Sequence, residues 1–313
     1  RQNNELVLQA NANYGTYAQA GVPATRLNLT NGGEFHFLNA PAGTAIGDTI
    51  TFKERMRITS EGCIYNTNSY SSTFFGNDAG NIANQTGVHN AAFGHKAAEE
   101  MTTGAYNTAL GAFALENNDT GSENTAVGYA ALYNGSGGGL LNTAVGSVAL
   151  GQVTTGIHNS SLGAYAGDNI TTGNNNTSLG YQAEPPSNSS TNTIVLGNSA
   201  IQSLRCQVQT ISALSDERDK TNIEDSKYGL NIIDSLRPVT FDWKQRDGNR
   251  DGLKDLGFIA QDLQKVDDKN LNLVDDEDPE KLVAAYGRLI PVLVKSIQEL
   301  KAEVDLLKQE CKC

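Results

Sequence analysis

Eight almost evenly spaced glycines, Gly76, Gly94, Gly111, Gly128, Gly146, Gly163, Gly180 and Gly197, restrict the middle of this 313-residue chain to a repeat architecture. The intervals are 18, 17, 17, 18, 17, 17 and 17 residues. The clearest units read Asn107-Thr-Ala-Leu-Gly-Ala-Phe-Ala-Leu115, Asn124-Thr-Ala-Val-Gly-Tyr-Ala-Ala-Leu132 and Asn142-Thr-Ala-Val-Gly-Ser-Val-Ala-Leu150. A Thr-Gly pair ends three residues before each Asn, at Gly87, Gly104, Gly121, Gly156 and Gly173, and Gly139 takes that place in the unit with an insertion. A glycine free to adopt unusual backbone angles, a tight turn and a short apolar patch in every period describe one coil of a solenoid. At ~4.8 Å per coil, eight coils make a rod of roughly 40 Å. The apolar patch is mostly Ala with one Val, Leu or Phe, too little to close a core within one chain, so several chains around a common axis are expected.

The rest of the chain obeys different rules. Of the 58 charged residues (23 basic, 35 acidic), 38 fall between 215 and 313, so the repeat region is amide-rich and nearly uncharged while the end has ordinary α/β composition. A net charge of -12 supplies no cationic stripe for phosphate, which sets aside nucleic acid and anionic membranes as partners. No run of eighteen apolar residues occurs, so membrane insertion is not expected. The chain opens on Arg1 rather than Met, as a segment of a longer polypeptide would. Cys63, Cys206, Cys311 and Cys313 are too scattered for a disulfide framework or a four-ligand zinc site.

Residues 1–65 alternate apolar and polar side chains at 26–30, 34–38 and 50–59, which predicts a small β-region capping the array. The repeat array is assigned to 66–204 and a linker to 205–214. Beyond it, 227–236 has helical periodicity with Asp225 or Ser226 available as N-cap. Residues 238–244 and 256–260 read as strands joined by a polar turn, and 261–266 as a short helix. The remainder is helical with a kink or break near Pro291. From about residue 286, Tyr286, Ile290, Leu293, Ile297, Leu300, Val304, Leu307 and Cys311 alternate steps of four and three, the seam of a coiled coil.

At the junction stands Ser215-Asp-Glu-Arg-Asp-Lys220. A serine hydroxyl becomes a useful nucleophile only when a neighbouring group takes its proton, and a lysine can do so only where burial favours the neutral amine. The blander reading is a turn serine beside a solvated lysine.

Two resemblances sharpen this picture. The repeats resemble the heads of trimeric autotransporter adhesins, whose shorter units form left-handed parallel β-rolls in threes, and similar longer repeats occur in tail-fibre proteins. Ser215-Asp-x-Arg-x-Lys220-x-Asn-Ile223, Leu236-Arg-Pro-Val-x-Phe-x-Trp-Lys244, Gly257-Phe-Ile-Ala-Gln261 and Leu289-Ile-Pro-x-Leu-Val-x-x-Ile-Gln-Glu-Leu300 together resemble the peptidase S74 domain, the C-terminal intramolecular chaperone of phage tail spikes and tail fibres. The resemblance implies a mainly β, homotrimeric protein in which a parallel β-roll or β-solenoid precedes a small α/β chaperone at 215–313. It implies that Ser215 is the nucleophile, Lys220 its base, and Leu214-Ser215 the bond cut once, with no external substrate and no cofactor. Asp219 departs from the apolar residue usual there, and a carboxylate beside Lys220 would favour the protonated amine.

The expected setting is the distal part of a phage tail fibre or tailspike in the virion. Its expected partners are its own copies, upstream fibre or virion proteins, and a host-surface receptor such as a glycan. The alternatives are a bacterial cell-surface trimeric adhesin-like protein using the same modules, a non-cleaving trimerisation domain, and a glycan-degrading tailspike. The last would require two carboxylates in a groove, for which Glu99, Glu100, Glu116 and Glu123 are the array's candidates. Asp247 to Gly252 begins like a calcium loop but has Phe258 where a Glu is needed, so a hairpin turn is expected. Cys311 and Cys313 are a weak metal or cross-linking pair, and His36, His89, His95 and His158 share no ligand spacing, so no metal is expected. Phe113, Tyr129, Tyr165 and Tyr181 recur near the repeat core, where packing is the simpler role and glycan contact the sharper one.

Overall fold

The computed structural model describes residues 6–10, 12–13, 16–17, 23–30, 33–40, 51–58, 64–66, 71–80, 86–135, 138–205, 207, 213–246, 248, 251–268 and 270–311. The chain divides into two compact units, 1–183 with 189–194, and 184–188 with 195–313.

The first unit begins with β1 (Leu6–Ala10), a small hairpin of β2 (Ala12–Asn13) and β3 (Thr16–Tyr17), and then β4 (Ala24–Leu29), β5 (Phe35–Ala40), β6 (Lys53–Ile58) and β7 (Ile64–Asn66). An antiparallel sheet of order β1-β4-β5-β6-β7 results. Strands lie in all three alternating segments, although Ile50 and Thr59 of the third lie outside the described residues. Its core is small: Ala24 and Ala40 are buried against Phe52, whose ring carries the Arg26 guanidinium 4.2 Å from its centroid.

The repeats follow as β8 (Thr73–Phe75), β9 (Ala91–Phe93), β10 (Thr108–Leu110), β11 (Thr125–Val127), β12 (Thr143–Val145), β13 (Ser160–Leu162), β14 (Thr177–Leu179) and β15 (Ile194–Leu196). Each coil contributes one short strand to a parallel sheet whose order is the chain order. Equivalent residues pair in register, as in Ala92↔Ala109↔Ala126↔Ala144↔Ser161↔Ser178. The protein is therefore mainly β and built on a parallel β-solenoid.

The coils close their interior within one chain, which corrects the expectation that the apolar patch is too small to close a core there. Ala114, Leu115, Ala131, Leu132, Ala149 and Leu150 are 0–2% exposed, beside the middle Ala of β9 to β12. A seventeen-residue coil is so narrow that two small residues and one Leu occupy most of it. Buried asparagines fill the remainder. Asn107, Asn124, Asn142 and Asn159 each accept, through Oδ1, the backbone N–H of the next Asn at 2.9–3.1 Å. Each Nδ2 in turn donates to the glycine carbonyl of the following turn at 2.8–2.9 Å. The three-residue offset between Thr-Gly and Asn thus builds a hydrogen-bonded ladder that satisfies backbone groups far from water.

The corners of the coil use left-handed backbone. His89, Tyr106, Glu123, Leu141 and His158 at one corner have φ of 58–60°, as do Lys96, Phe113 and Val148 at 56–62° and Leu115, Leu132 and Leu150 at 51–53° at two others. Such angles disfavour side chains by about 1–2 kcal/mol per residue. Here they turn each N–H along the axis toward a neighbouring coil, as in Tyr106 to Val88 O at 3.0 Å and Leu132 to Ala149 O at 3.0 Å. Stacking offsets the strain.

Replacing Asn142 by Ala leaves the Asn159 N–H and the Gly156 carbonyl without their partners. A loss of roughly 3 kcal/mol in urea unfolding is expected, against under about 0.5 kcal/mol for Asn134→Ala, whose exposed amide donates to Gln152 Oε1.

The second unit contains α1 (Leu230–Ile233), β16 (Val239–Asp242), β17 (Lys254–Gly257), α2 (Ala260–Gln264), β18 (Val274–Asp275), β19 (Val283–Ala284) and α3 (Leu289–Glu310). β16 and β17 form the expected antiparallel hairpin, in whose turn residues 247, 249 and 250 lie outside the described residues. The core gathers Ile232, Leu263, Leu271, Leu273, Leu289 and Val292, with Tyr228, Leu236 and Phe258 packed against it.

Two expectations change. The first helix is only four residues long, and neither Asp225 nor Ser226 caps it; the Leu230 N–H donates instead to Glu299 Oε2 of α3 at 2.8 Å. The last helix is continuous, entered through a 3-10 turn at Tyr286–Arg288, with Pro291 in its first turn, where a missing N–H costs nothing. One face of α3 buries Leu289, Val292 and Ser296 in this unit, whereas Tyr286, Ile290, Leu293, Ile297, Leu300, Val304 and Leu307 are 44–64% exposed.

Candidate functional site

The segment following Leu214 forms a tight local structure. Asp216, extended at φ -70° and ψ 137°, caps a 3-10 turn of Glu217–Asp219. Its Oδ1 accepts the Arg218 N–H at 2.9 Å and Arg218 Nε at 3.0 Å, while Oδ2 accepts Nη2 at 2.6 Å. The Arg218 guanidinium holds the Asp216 carboxyl below the usual carboxylate range. Closure of the turn through the Lys220 N–H to Glu217 O, at 3.1 Å, directs the lysine back over the serine. Lys220 Nζ lies 2.7 Å from Ser215 Oγ and donates to the Ser215 carbonyl at 3.1 Å.

The candidate pair Ser215 and Lys220 is thus within proton-transfer distance, and the turn between them explains why a five-position spacing brings the two side chains together. Among the described residues no ion pair joins Asp219 to Lys220. Leu214 is 84% exposed, and Ser215 and Lys220 are also on the surface of the single chain.

Asp216 and Arg218 were visible in the sequence only as parts of a motif; their role in shaping the turn emerges from the geometry. Elsewhere in the second unit, Asp262 is held below its ordinary range by Lys265 at 2.7 Å and Arg237 at 2.7 Å, which ties α2 to the Leu236-Arg-Pro segment.

The other candidates separate. Lys96 Nζ bridges Glu99 at 2.8 Å and Glu116 at 3.6 Å, and Glu116 is buried. A cleft of about 270 Å³ on the array is lined by Phe113, Tyr129, Ala130, Tyr133, Val148, Gly151 and Gln152, with no carboxylate in its wall. The recurring aromatics meet edge to face, Phe113 with Tyr129 at 5.5 Å and Tyr165 with Tyr181 at 6.3 Å. His89 stacks on Tyr106 at 5.1 Å, His95 meets Phe113 at 5.3 Å, and His36 Nε2 lies 2.9 Å from Glu34 Oε2. Among the described residues no group of three His, Cys, Asp or Glu side chains could hold a metal. Cys63, Cys206 and Cys313 lie outside the described residues, and Cys311 is exposed. No helix among the described residues is long and apolar enough to cross a membrane.

Residues 215–272 match the peptidase S74 family model, described as a chaperone of endosialidase. The match begins at the nucleophile candidate and runs through α1, the β16–β17 hairpin and α2. No curated protein and no solved structure matches the chain.

Proposed function

We propose that residues 215–313 are an intramolecular chaperone that brings three copies of the chain together, and that it then severs itself from the shaft at Leu214-Ser215. The observation that carries this reading is the 2.7 Å approach of Lys220 Nζ to Ser215 Oγ at the first residues of the S74-matched segment, beside an exposed Leu214. In the reaction, Ser215 Oγ attacks the Leu214 carbonyl carbon while neutral Lys220 takes the hydroxyl proton and delivers it to the departing Ser215 nitrogen. The C–N bond breaks and a Leu214 ester to Oγ forms. Water then hydrolyses the ester, leaving a Leu214 carboxylate and a new N-terminal Ser215 with its hydroxyl restored.

A lysine base requires burial, and the single chain leaves Lys220 exposed. Assembly would provide that burial, so cleavage would follow trimerisation and make it hard to reverse. Residues 205–214 serve as the linker to be cut, and the β-region at 1–65 as a cap on the array. The whole is the distal part of a phage tail fibre or tailspike that contacts a host surface, since a long repeat shaft preceding such a chaperone suits that task.

Intact mass of the expressed chain beside its Ser215→Ala variant tests the reading. The parent should yield two fragments divided after Leu214, and the variant one uncut chain. An uncut parent in trimeric form would leave a trimerisation domain without the cleavage step, and a monomeric parent would remove the chaperone reading altogether.

A further inference from the structure

The outward residues of the solenoid strands form an apolar ladder that the coil's own interior does not use. The third residue of each strand is Phe75, Phe93, Leu110, Val127, Val145, Leu162 and Leu179 in β8 to β14, and in-register pairing stacks these rungs above one another. Phe75, Phe93, Leu110, Leu162 and Leu179 are 40–75% exposed, while Val127 and Val145 are half-buried. Seven rungs span roughly 29 Å at ~4.8 Å each. A stripe about 10 Å wide presents about 300 Å² of apolar surface, at the low end of the largest apolar patches on soluble proteins, which often serve binding.

We infer that this ladder is the seam along which copies of the same chain pack in parallel, level with level. The inference rests on the self-association proposed above and identifies where the shafts meet. The strand face is free of charge, since the outward residues of β8 to β14 are Thr, Ser, Ala, Phe, Leu or Val in a chain of net charge -12. Acidic chains can approach each other there without like-charge repulsion. The rung spacing selects the occupant as well. Only a partner with the same axial repeat meets every rung, and a second copy of this chain has it by construction.

The ladder is also small beside the roughly 800 Å² per partner of a stable interface. Shafts would then not find their register through it alone, and a separate module that first brings the chains together becomes necessary. The exposed stripe of α3 is such a module's surface.

Single-cysteine chains test the inference, made with Cys63, Cys206, Cys311 and Cys313 replaced by Ser. Under mild oxidation, Leu110→Cys and Leu162→Cys should each convert the bulk of the chain to a cross-linked dimer on a non-reducing gel, because identical rungs face each other across the seam. Thr172→Cys, on an exposed corner, should remain uncross-linked. Sedimentation of the same samples separates the two ideas. Oligomers that fail to cross-link at either rung overturn the ladder seam while leaving the chaperone reading intact, and monomers overturn both. Equal cross-linking at Thr172→Cys also overturns the seam.

Discussion

Gly128→Ala should break the shaft, lowering its melting temperature by roughly 10 °C or more or leaving the chain insoluble. Gly128 has φ +133°, a region that side chains essentially do not enter. An added Cβ would stand 2.5 Å from the Gly146 carbonyl oxygen and 2.7 Å from its carbon, both backbone atoms of the next coil. No rotamer relieves that contact. The coils must part, and parting them breaks the β11–β12 pairing and the Asn124–Asn142 bond together. Backbone strain of about 1–3 kcal/mol and the lost stacking therefore add at one site. Gly33→Ala is the control for strain alone: φ is +77° in the β4–β5 turn and nothing lies within 4 Å of the added carbon. It should cost roughly 3 °C or less. Far-UV circular dichroism melts decide the matter, and equal shifts for the two variants would mean that the glycine column does not hold the coils together.

The same contrast explains what the sequence revealed. The glycine column was legible because a missing side chain at a fixed interval has few physical causes, and close approach of backbones is one. The Asn column was just as regular, yet asparagine reads first as a turn residue, and its bonding to the following coil depends on an inter-coil spacing that no single repeat displays. The left-handed corners were illegible for a stronger reason. Leu115, Leu132 and Leu150 are poor choices for positive φ on local grounds, and it is the N–H bonds they make to the adjacent coil and the burial of their side chains that favour them. Tertiary stacking overrode local preference.

The second unit shows both outcomes in smaller compass. The β16–β17 hairpin and α2 followed from alternation and turn residues, within three residues of the expected limits. The first helix shrank because its start is fixed by Glu299, sixty-nine positions away, and no local capping rule can find such a partner. Ser215 and Lys220 were legible as a pair because the turn that joins them is local, its geometry carried by Asp216 and Arg218 within the same six residues.

Ile297→Asp with Leu300→Asp should yield a folded monomer that no longer cuts itself. Ile297 is 64% and Leu300 47% exposed in the single chain, so the unit's own core, gathered around Ile232, Leu263 and Val292, loses nothing. In an assembled stripe the same positions would bring like carboxylates together out of water, at a cost of several kcal/mol per ion, more than a helix seam can absorb. The Ser215–Lys220 pair itself is untouched: both residues and the turn that joins them lie in another segment. If assembly supplies the burial that Lys220 needs, removing assembly removes the base, and cleavage after Leu214 should slow by about 100-fold or more. Sedimentation and a time course of intact mass give the two readouts, with Ala302→Gln on the exposed side of α3 opposite the stripe as a variant expected to change neither. A monomer that still cuts at the parental rate would show that the local turn is a sufficient catalyst. An oligomer that persists would instead remove the α3 stripe from the assembly pathway, and with it the order of events in which the shaft is aligned first and released afterwards.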